Sequence, residues 1–544
     1  MMRHSLTLGP LSVILVGMSV GHAPGVAAEA PWLIEESQAS WAQAQASGDK
    51  IAITNVLSLK GGDAGRWTSQ WHQWQGTIDA AEVAVRAAVA QFTNQTIEVV
   101  VKGSETPYTD ASGVPHTWYG RCMIAIVNEN RWIMALRSGI NHIAWDTPRK
   151  RDTIHLLTSS DEGRTWNKLD HWFDGTPIQG MPYEDGETHS EPGLYRMPNG
   201  DLILQFWRID YSAGTKQLRS TDNGKSWAVD IDRINVAGVT GAEGDRAIGT
   251  EDWFVDPENP SHVYMAFEYF LYNQKAGSLL TKSTDNGKSY AFLSWMSPLG
   301  VSKNPASGAT FEPAIEYVGN RTIVAVLRGL AGDRHTWQTV STDMGVSFSP
   351  LVDISAQING GMPNGSWQRA RLYKESNPYF QYGNPLNYAL GEGRLWGFGI
   401  HSNRGGYTRK PAVYWSDDNG QSWCGPQLLH GPMHPGTDTG YGDLKRRRDG
   451  TFVAATYYCP PENMDIADVE QYTFGAQRAK MMIEADRDGD GKPDADSGWR
   501  ELHNGSNVYT VSGLGASRWR LRLHLHSTNT AGSPKIIQVK VSPR

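Results

Sequence analysis

The sequence predicts an all-β protein: a six-bladed β-propeller with an N-terminal α/β extension and C-terminal closing strands. Three observations carry this. An eight-residue pattern, Ser-x-Asp-x-Gly-x-Ser/Thr-aromatic, recurs as "SSDEGRTW" at 159, "STDNGKSW" at 220, "STDNGKSY" at 283, "STDMGVSF" at 341 and "SDDNGQSW" at 416. The copies start 61, 63, 58 and 75 residues apart, so the repeating unit is about sixty residues. Each copy follows a β-like run such as "TIHLLT" or "PAVYW", itself preceded by a hairpin signal such as "PNGDLILQF", "GNRTIVAVL" or "EGRLWGFGI". Hairpin, strand and tight turn at a fixed period is the signature of propeller blades.

The octet has a local explanation. Its Asp and Asn side chains bond their own backbone, its Gly supplies a positive φ, and its aromatic residue packs between sheets. These aspartates are read as scaffold, because a carboxylate repeated in five blades cannot face one substrate five times.

Taken in order, residues 1–28 open on Arg3 and His4, followed by an apolar stretch from Leu6 to Val20 and small residues ending at Ala27 and Ala28. This pattern predicts a secretory signal peptide cut after Ala28 and an exported protein. The apolar run is too short and interrupted to span a membrane, and no other stretch approaches roughly 18 apolar residues, so no integral membrane segment is expected. Residues 29–115 form the N-terminal extension, expected to pack on the propeller. Within it "TIDAAEVAVRAAVAQF" (77–92) reads as a helix, with Thr77 as N-cap and Val85, Val89 and Phe92 on one face, followed by the strand "TIEVVVKG".

Residues 116–544 supply the propeller. Blades are expected at about 120–166, 190–227, 250–290, 311–348 and 367–423, and a sixth begins at Tyr441 without an octet. The C-terminal "SRWRLRLHLHSTNTAGSPKIIQVKVSPR" alternates apolar and basic residues and reads as closing strands, the alternative being a separate small β-module that binds carbohydrate.

Composition narrows the partners. With 50 basic and 57 acidic residues the net charge is −7, which gives no bulk attraction for nucleic acid. The 21 Trp, 21 Tyr and 58 Gly suit an all-β protein that stacks sugars. Three cysteines, Cys122, Cys424 and Cys459, allow at most one disulfide, so the fold does not rest on a disulfide framework.

Over roughly 119–460 the chain resembles the sialidase (neuraminidase) family, whose octets are known as Asp boxes or BNR repeats. "YGRCMIAIV" is similar to the family's first-blade Tyr-Arg-Ile-Pro stretch, which implies that Arg121 is one of three arginines clamping a sugar carboxylate. "AWDTPRKRDTIHLLTSSDEG" resembles the loop that holds the acid/base aspartate, here Asp146, 13 positions before Ser159. "FEPAIEYVGNRTIVAVLR" resembles the segment with the family's glutamate and second arginine, Glu312 and Arg328, 16 residues apart. "HSNRGGYTRKPAVYWSDDNG" resembles the segment with the third arginine, Arg409 or its rival Arg404, and "GYGDLKRRRDGTFVA" the stretch around the catalytic tyrosine, Tyr441. Two departures stand out: "RCM" replaces Arg-Ile-Pro, and the last strand ends "ATYY" where the family places Leu-Tyr-Glu.

The resemblance implies a retaining exo-glycosidase that removes a terminal sialic acid or related acidic sugar, with no cofactor required for catalysis. The chemistry calls for these residue types. A carboxylate nucleophile would be repelled by the sugar's own carboxylate, whereas a neutral tyrosine is not, and sialidases are tyrosine-nucleophile exceptions among glycosidases. A phenol needs a neighbouring base, here Glu312, and the leaving oxygen needs an acid, here Asp146. Guanidiniums hold a carboxylate with a planar fork that lysine lacks.

Two other readings stay open. Some propeller polysaccharide lyases, such as ulvan lyases, abstract a proton beside a uronate with His, Tyr and Arg. His142, His155 and His189 fall in blades one and two, and His142 or His189 would then be the base, although Glu312 stands where such a lyase would place a tyrosine. The third reading is an inactive carbohydrate-binding propeller. Separately, "DRDGDGKPDADS" (486–497) offers Asp486, Asp488, Asp490 and Asp494 at alternating spacing with Gly491 at the turn, a pattern for structural Ca2+ despite Ser497 at the twelfth position.

Overall fold

The computed structural model describes residues 32–34, 45–49, 51–53, 57–59, 64–88, 93–141, 152–181, 189–208, 214–239, 246–248, 252–270, 275–297, 300–301, 310–329, 335–358, 365–384, 386–403, 409–429, 438–463, 465–475, 477–498, 500–502, 505–527 and 535–543. The expected signal peptide and Asp146, His142 and Arg404 lie outside them. The described residues are mostly strand, with one four-residue helix at Ser355–Ile358 and a single 3-10 turn at Gly103–Glu105 among them.

Six consecutive sheets form the blades, antiparallel except where Val236–Ala237 pairs in parallel with Tyr290–Trp295 in the third. Their innermost strands are Trp118–Ile126, His189–Arg196, Trp253–Val255, Thr310–Tyr317, Gly365–Lys374 and Asp438–Arg446. The sixth blade runs Asp438–Arg446, Phe452–Cys459, Asp468–Gly475 and then Thr93–Val101, so a strand from early in the chain supplies its outer edge. Inner strands are almost continuously buried, as in Trp118–Ile126, because each is covered on both faces by neighbouring blades.

Two expectations are corrected. The described part of the 77–92 segment, residues 77–88, forms no helix: His72–Ile78 and Ala81–Ala88 are strands. In the latter Ala81, Val83, Val85 and Ala87 are buried, a period of two that wins over the helical spacing of Val85, Val89 and Phe92. The C-terminal strands do not close the propeller. Ala516–Ser527 pairs with Ala64–Ser69 and Gln477–Asp486, and Lys535–Pro543 pairs with Ala81–Ala88, making two further sheets from both ends of the chain. Their facing sides share a core of Trp67, Val83, Ile483, Trp519, Leu521 and Val539, among others. The alternating basic residues of "SRWRLRLHLH" lie on the opposite side from that core.

The octets are turn locks. In each, the Ser hydroxyl donates to the Asp at 2.7–2.8 Å and accepts from the Gly amide at 2.7–2.8 Å. The seventh-position hydroxyl donates to the second Asp oxygen at 2.5–2.7 Å. In three octets the eighth-position aromatic reaches the preceding blade of the ring: Trp166 Nε1 donates to Gln471 at 2.9 Å, Tyr290 Oη to Gln217 at 2.8 Å and Trp423 Nε1 to Gln338 at 2.6 Å. None of the five aspartates approaches the axis site described below, in keeping with a scaffold role.

Carboxylates staple the inner strands together. The Glu312 amide donates to Glu268 at 2.7 Å, the Arg369 amide to Glu312 at 3.1 Å, the Leu372 amide to Asp252 at 3.0 Å and the Ile124 amide to Asp443 at 2.7 Å. The last of these joins blade 6 to blade 1 and so closes the ring from inside. The three cysteines are free thiols, with Cys122 and Cys459 buried.

Replacing Asp222 by Ala removes the acceptor for two hydroxyls and an amide. We expect a loss of about 1–3 kcal/mol in urea unfolding, with the axis site unchanged. The octet aspartates also set an acid limit. Partial burial opposes ionisation of Asp161, Asp222, Asp285 and Asp418, but their hydroxyl and amide bonds outweigh it and hold them below the ordinary 3.8. At Asp343 the Ser347 hydroxyl leads in lowering the value to about 2. A depressed carboxylate stabilises the fold above its unfolded value and stops doing so as pH falls through its folded value. Unfolding should therefore steepen below pH 3.8, and Asp→Asn changes in the octets should flatten that dependence.

Candidate active site

Five inner strands share one irregularity. Pairing slips between Ala135 and Arg137 opposite blade 1, and at Ser190/Gly193, Phe311/Ala314, Gln368/Arg371 and Gly440/Asp443 in blades 2, 4, 5 and 6. At each slip one residue is left-handed: Arg121 (φ 57°), Glu191 (54°), Glu312 (50°), Arg369 (48°) and Tyr441 (45°). A non-glycine residue held there costs about 1–3 kcal/mol and persists only where the surroundings enforce it. The bulge re-aims the side chain, and all five side chains meet.

Tyr441 Oη donates to Glu312 Oε1 at 3.2 Å. Arg328, on the strand next to Glu312's and opposite Phe311, donates to the same oxygen at 2.7 Å, and its guanidinium lies 4.5 Å from the Phe311 ring centre. Glu312's other oxygen accepts the Arg369 amide. The guanidiniums of Arg121 and Arg369 sit 4.4 and 4.5 Å from the centre of the Tyr441 ring. Both also pair with Glu191, one with each carboxylate oxygen. Arg409 reaches from blade 5 to Asp438 at 3.0 Å, and Asp438 also accepts from Tyr457 Oη at 3.1 Å. Arg121, Cys122, Glu191, Arg369, Arg371 and Tyr441 line a cavity on the axis.

Burial and charge fix the protonation states. Burial, then the Glu312 charge, push the Tyr441 phenol above its ordinary 10, with Arg328, Arg121 and Arg369 pulling it back. Burial also works against ionisation of Glu312, but Arg328 and Arg369 outweigh it and hold the carboxyl below its usual range. At Glu191 burial is likewise overcome by Arg121 and Arg369, leaving the value at about 2. At neutral pH the site is therefore a neutral phenol against an ionised carboxylate, ringed by four guanidiniums.

Of the residues singled out from sequence, Arg121, Glu312, Arg328, Arg409 and Tyr441 converge. Glu191 and Arg369 were missed. The signal for both was present: a polar residue, then a small residue or Pro, any residue, and Leu or Ile, as in "RCMI", "EPGL", "EPAI", "RARL" and "YGDL". The third instance belongs to Glu312 and the fourth is Arg369 with Ala370, Arg371 and Leu372. His189 is buried edge-on against Phe206, and His155 bonds Ser138 at 2.8 Å and Asp170 at 2.6 Å inside the first blade.

In the 486–497 loop, Asp486, Asp488 and Asp494 each bring a carboxylate oxygen within 4.8 Å of the others, while Asp490 accepts the Lys492 amide at 2.8 Å. Asp486 already accepts the Gly489 and Gly491 amides and pairs with Arg518 at 2.8 Å. No described helix is long and apolar enough to cross a membrane.

No protein-family profile matches the chain, and no curated protein matches it. Solved structures similar to it include sialidases. The Trypanosoma rangeli sialidase in complex with sialic acid shares 10% identity at a TM-score of 0.46, over 84% of this chain and 97% of that one. A mutant of the NanB sialidase from Streptococcus pneumoniae shares 10% at 0.44, over 71% and 70%. A Dyadobacter fermentans protein of unknown function shares 14% at 0.45, over 74% and 99%.

Proposed function

We propose that the protein is an exported retaining exo-glycosidase that cleaves a terminal sialic acid, or a related acidic sugar, from glycoconjugates through a tyrosyl-enzyme intermediate. The observation that carries the reading is the Tyr441 Oη to Glu312 hydrogen bond of 3.2 Å inside a ring of arginines.

In this reading the resting phenol is neutral and meets the anionic sugar without repulsion. As Tyr441 Oη bonds to the anomeric carbon, its proton passes to Glu312, which is ionised and already within reach. The bond to the leaving oxygen breaks, and Asp146 supplies that oxygen's proton. Asp146 then takes a proton from the water that attacks the same carbon, while Glu312 returns its proton to the departing Tyr441 oxygen. Two displacements at one carbon give net retention. Raised phenol and lowered carboxylate keep the proton on Tyr441 until carbon–oxygen bonding begins. The glycan is bound through its carboxylate by guanidiniums, whose fork matches that group.

The 486–497 loop is proposed as a structural Ca2+ site. Three converging carboxylates suit a hard cation, although Arg518 offsets one of their charges. Calorimetric titration with CaCl2 should show binding that Asp488→Asn weakens, with a higher unfolding temperature in calcium. Absence of both effects removes the site.

For the enzyme, release of fluorophore from an aryl α-sialoside is the test. Glu312→Gln should lower kcat on the order of 10²–10⁴-fold, and Tyr441→Phe at least as much, with NMR showing the α-anomer of the product first. Full activity in Tyr441→Phe overturns the reading. Unsaturated uronate released from ulvan instead would point to the lyase.

A further inference from the structure

We propose that the end of the axial channel away from Tyr441 is a second ligand site, which takes a sugar acid by its carboxylate, with Arg196 as the anion-binding group and Trp253 and Tyr379 as the wall against which the sugar ring lies. The site stands whichever reaction Tyr441 serves.

The inner strands run on past their bulges, and the residues that follow build a second cavity further along the axis. Met123, Arg196, Tyr373, Asp443 and Lys445 line it, each a few positions beyond Arg121, Glu191, Arg369 or Tyr441 on the same strand. Met123 lines both cavities, and Arg371 donates to its sulfur at 3.1 Å, so these two side chains stand between them. The connection that follows Gly365–Lys374 in blade 5 brings Asn377 and Tyr379 into the lining. Asn377 is fixed there, because its side-chain nitrogen donates to Glu316 at 2.8 Å and its side-chain oxygen accepts the Tyr379 amide at 2.9 Å. Trp253, from blade 3, packs against Tyr379 with ring centres 4.9 Å apart and against Tyr195 at 5.6 Å. Its open mouth included, the cavity holds about 430 Å³, within the range of small-molecule pockets.

Charge picks out the ligand. Of the charged side chains in the lining, Lys445 pairs with Asp443 at 2.9 and 3.0 Å. Asp252 accepts the backbone amides of Trp253, Ile315 and Leu372 at 3.0, 3.3 and 3.0 Å, and burial lifts its carboxyl to about 7, which removes part of its charge near neutral pH. Arg196 is what remains. Its side chain makes no ion pair or hydrogen bond among the described residues, and its Nε is closed off from solvent without an acceptor. A shielded N–H with no partner is rare in a folded protein, since it has given up water for nothing in return. A ligand oxygen supplies the missing partner.

The class of ligand follows from the neighbours. Nε and a terminal nitrogen of Arg196 form a planar fork that matches the two oxygens of a carboxylate. One uncompensated positive charge suits a monoanion, whereas a phosphate dianion would bring a second negative charge up to Asp252 and Asp443. Burial raises the Tyr379 phenol and the Arg196 charge pulls it back, which places the guanidinium beside that ring. The half-buried rings of Tyr379 and Trp253 therefore offer an apolar wall next to the anion-binding group. Such a wall fits the C–H face of a pyranose and gives a bare carboxylate nothing extra.

The test is calorimetric titration of the full chain with sodium glucuronate, with sodium acetate and inorganic phosphate as the other arms. Glucuronate can also reach the arginines around Tyr441, so Arg196→Gln is read against Arg328→Gln, which alters that site. One glucuronate-binding event is expected to weaken about 10-fold or more in Arg196→Gln, the loss of a charge-assisted bidentate contact, and to persist in Arg328→Gln. Trp253→Ala should weaken the same event, and acetate should bind there about 10-fold more weakly than glucuronate or worse. Arg196 has no partner in the fold to lose, so the unfolding temperature of Arg196→Gln should match wild type. Should that variant fail to fold, Arg196→Lys keeps the charge without the fork and is expected to weaken the event as well.

Glucuronate binding that disappears in Arg328→Gln and is intact in Arg196→Gln confines the ligand to the Tyr441 site and overturns the proposal. Acetate or phosphate binding as tightly as glucuronate shows an adventitious anion only, and overturns it too, as does the absence of any binding. None of these outcomes turns on whether the aryl α-sialoside is cleaved, so the proposal and the enzymatic reading fail separately.

Discussion

One left-handed residue in each of five inner strands is the constraint on which the site depends. A regular strand alternates its side chains between the two faces of its sheet, and in a propeller both faces are packed against neighbouring blades. Polar groups on such strands would be buried between sheets. The bulge breaks the alternation and turns Arg121, Glu191, Glu312, Arg369 and Tyr441 toward the axis instead. It also frees backbone amides from the ladder, and carboxylates from adjacent blades bond them, as Glu268 does for Glu312 and Glu312 for Arg369. Strain at each bulge is thus offset by bonds that tie the blades together.

Glu312 shows how closely scaffold and chemistry are joined. Its one carboxylate accepts from Tyr441, Arg328 and the backbone of blade 5. The same contacts that hold three blades in place keep it ionised and aimed at the phenol. The site is near charge balance among Arg121, Arg328, Arg369, Arg409, Glu191, Glu312, Glu268 and Asp438, which is how so many ionised groups persist with little solvent. Binding there is a matter of geometry and of which guanidiniums are still exposed, more than of bulk positive charge.

Much of this was legible in the sequence, for physical reasons. The octets announced the blades because each is a self-contained turn whose Ser, Asp and Gly have no substitute. Glu312, Arg328 and Tyr441 stood out through the resemblance of their segments to the sialidase family, Glu312 and Arg328 lying 16 residues apart across one hairpin. Glu191 and Arg369 did not, because their signal is a four-residue pattern repeated about once per blade, visible only when the inner strands are laid side by side. The 77–92 segment misled because an alanine-rich run satisfies helical and strand periods alike, and its partners, Gly505–Val511 and Lys535–Pro543, lie more than four hundred residues away. Long-range pairing decided there against local propensity.

The most direct measurement is peptide mass spectrometry after incubation with a fluorinated sialosyl donor that slows hydrolysis of a glycosyl-enzyme. The account predicts one added sugar on the peptide containing Tyr441, lost in Tyr441→Phe and slow to form in Glu312→Gln. A protein that turns over the donor with no adduct on Tyr441, or with the sugar on another side chain, contradicts it.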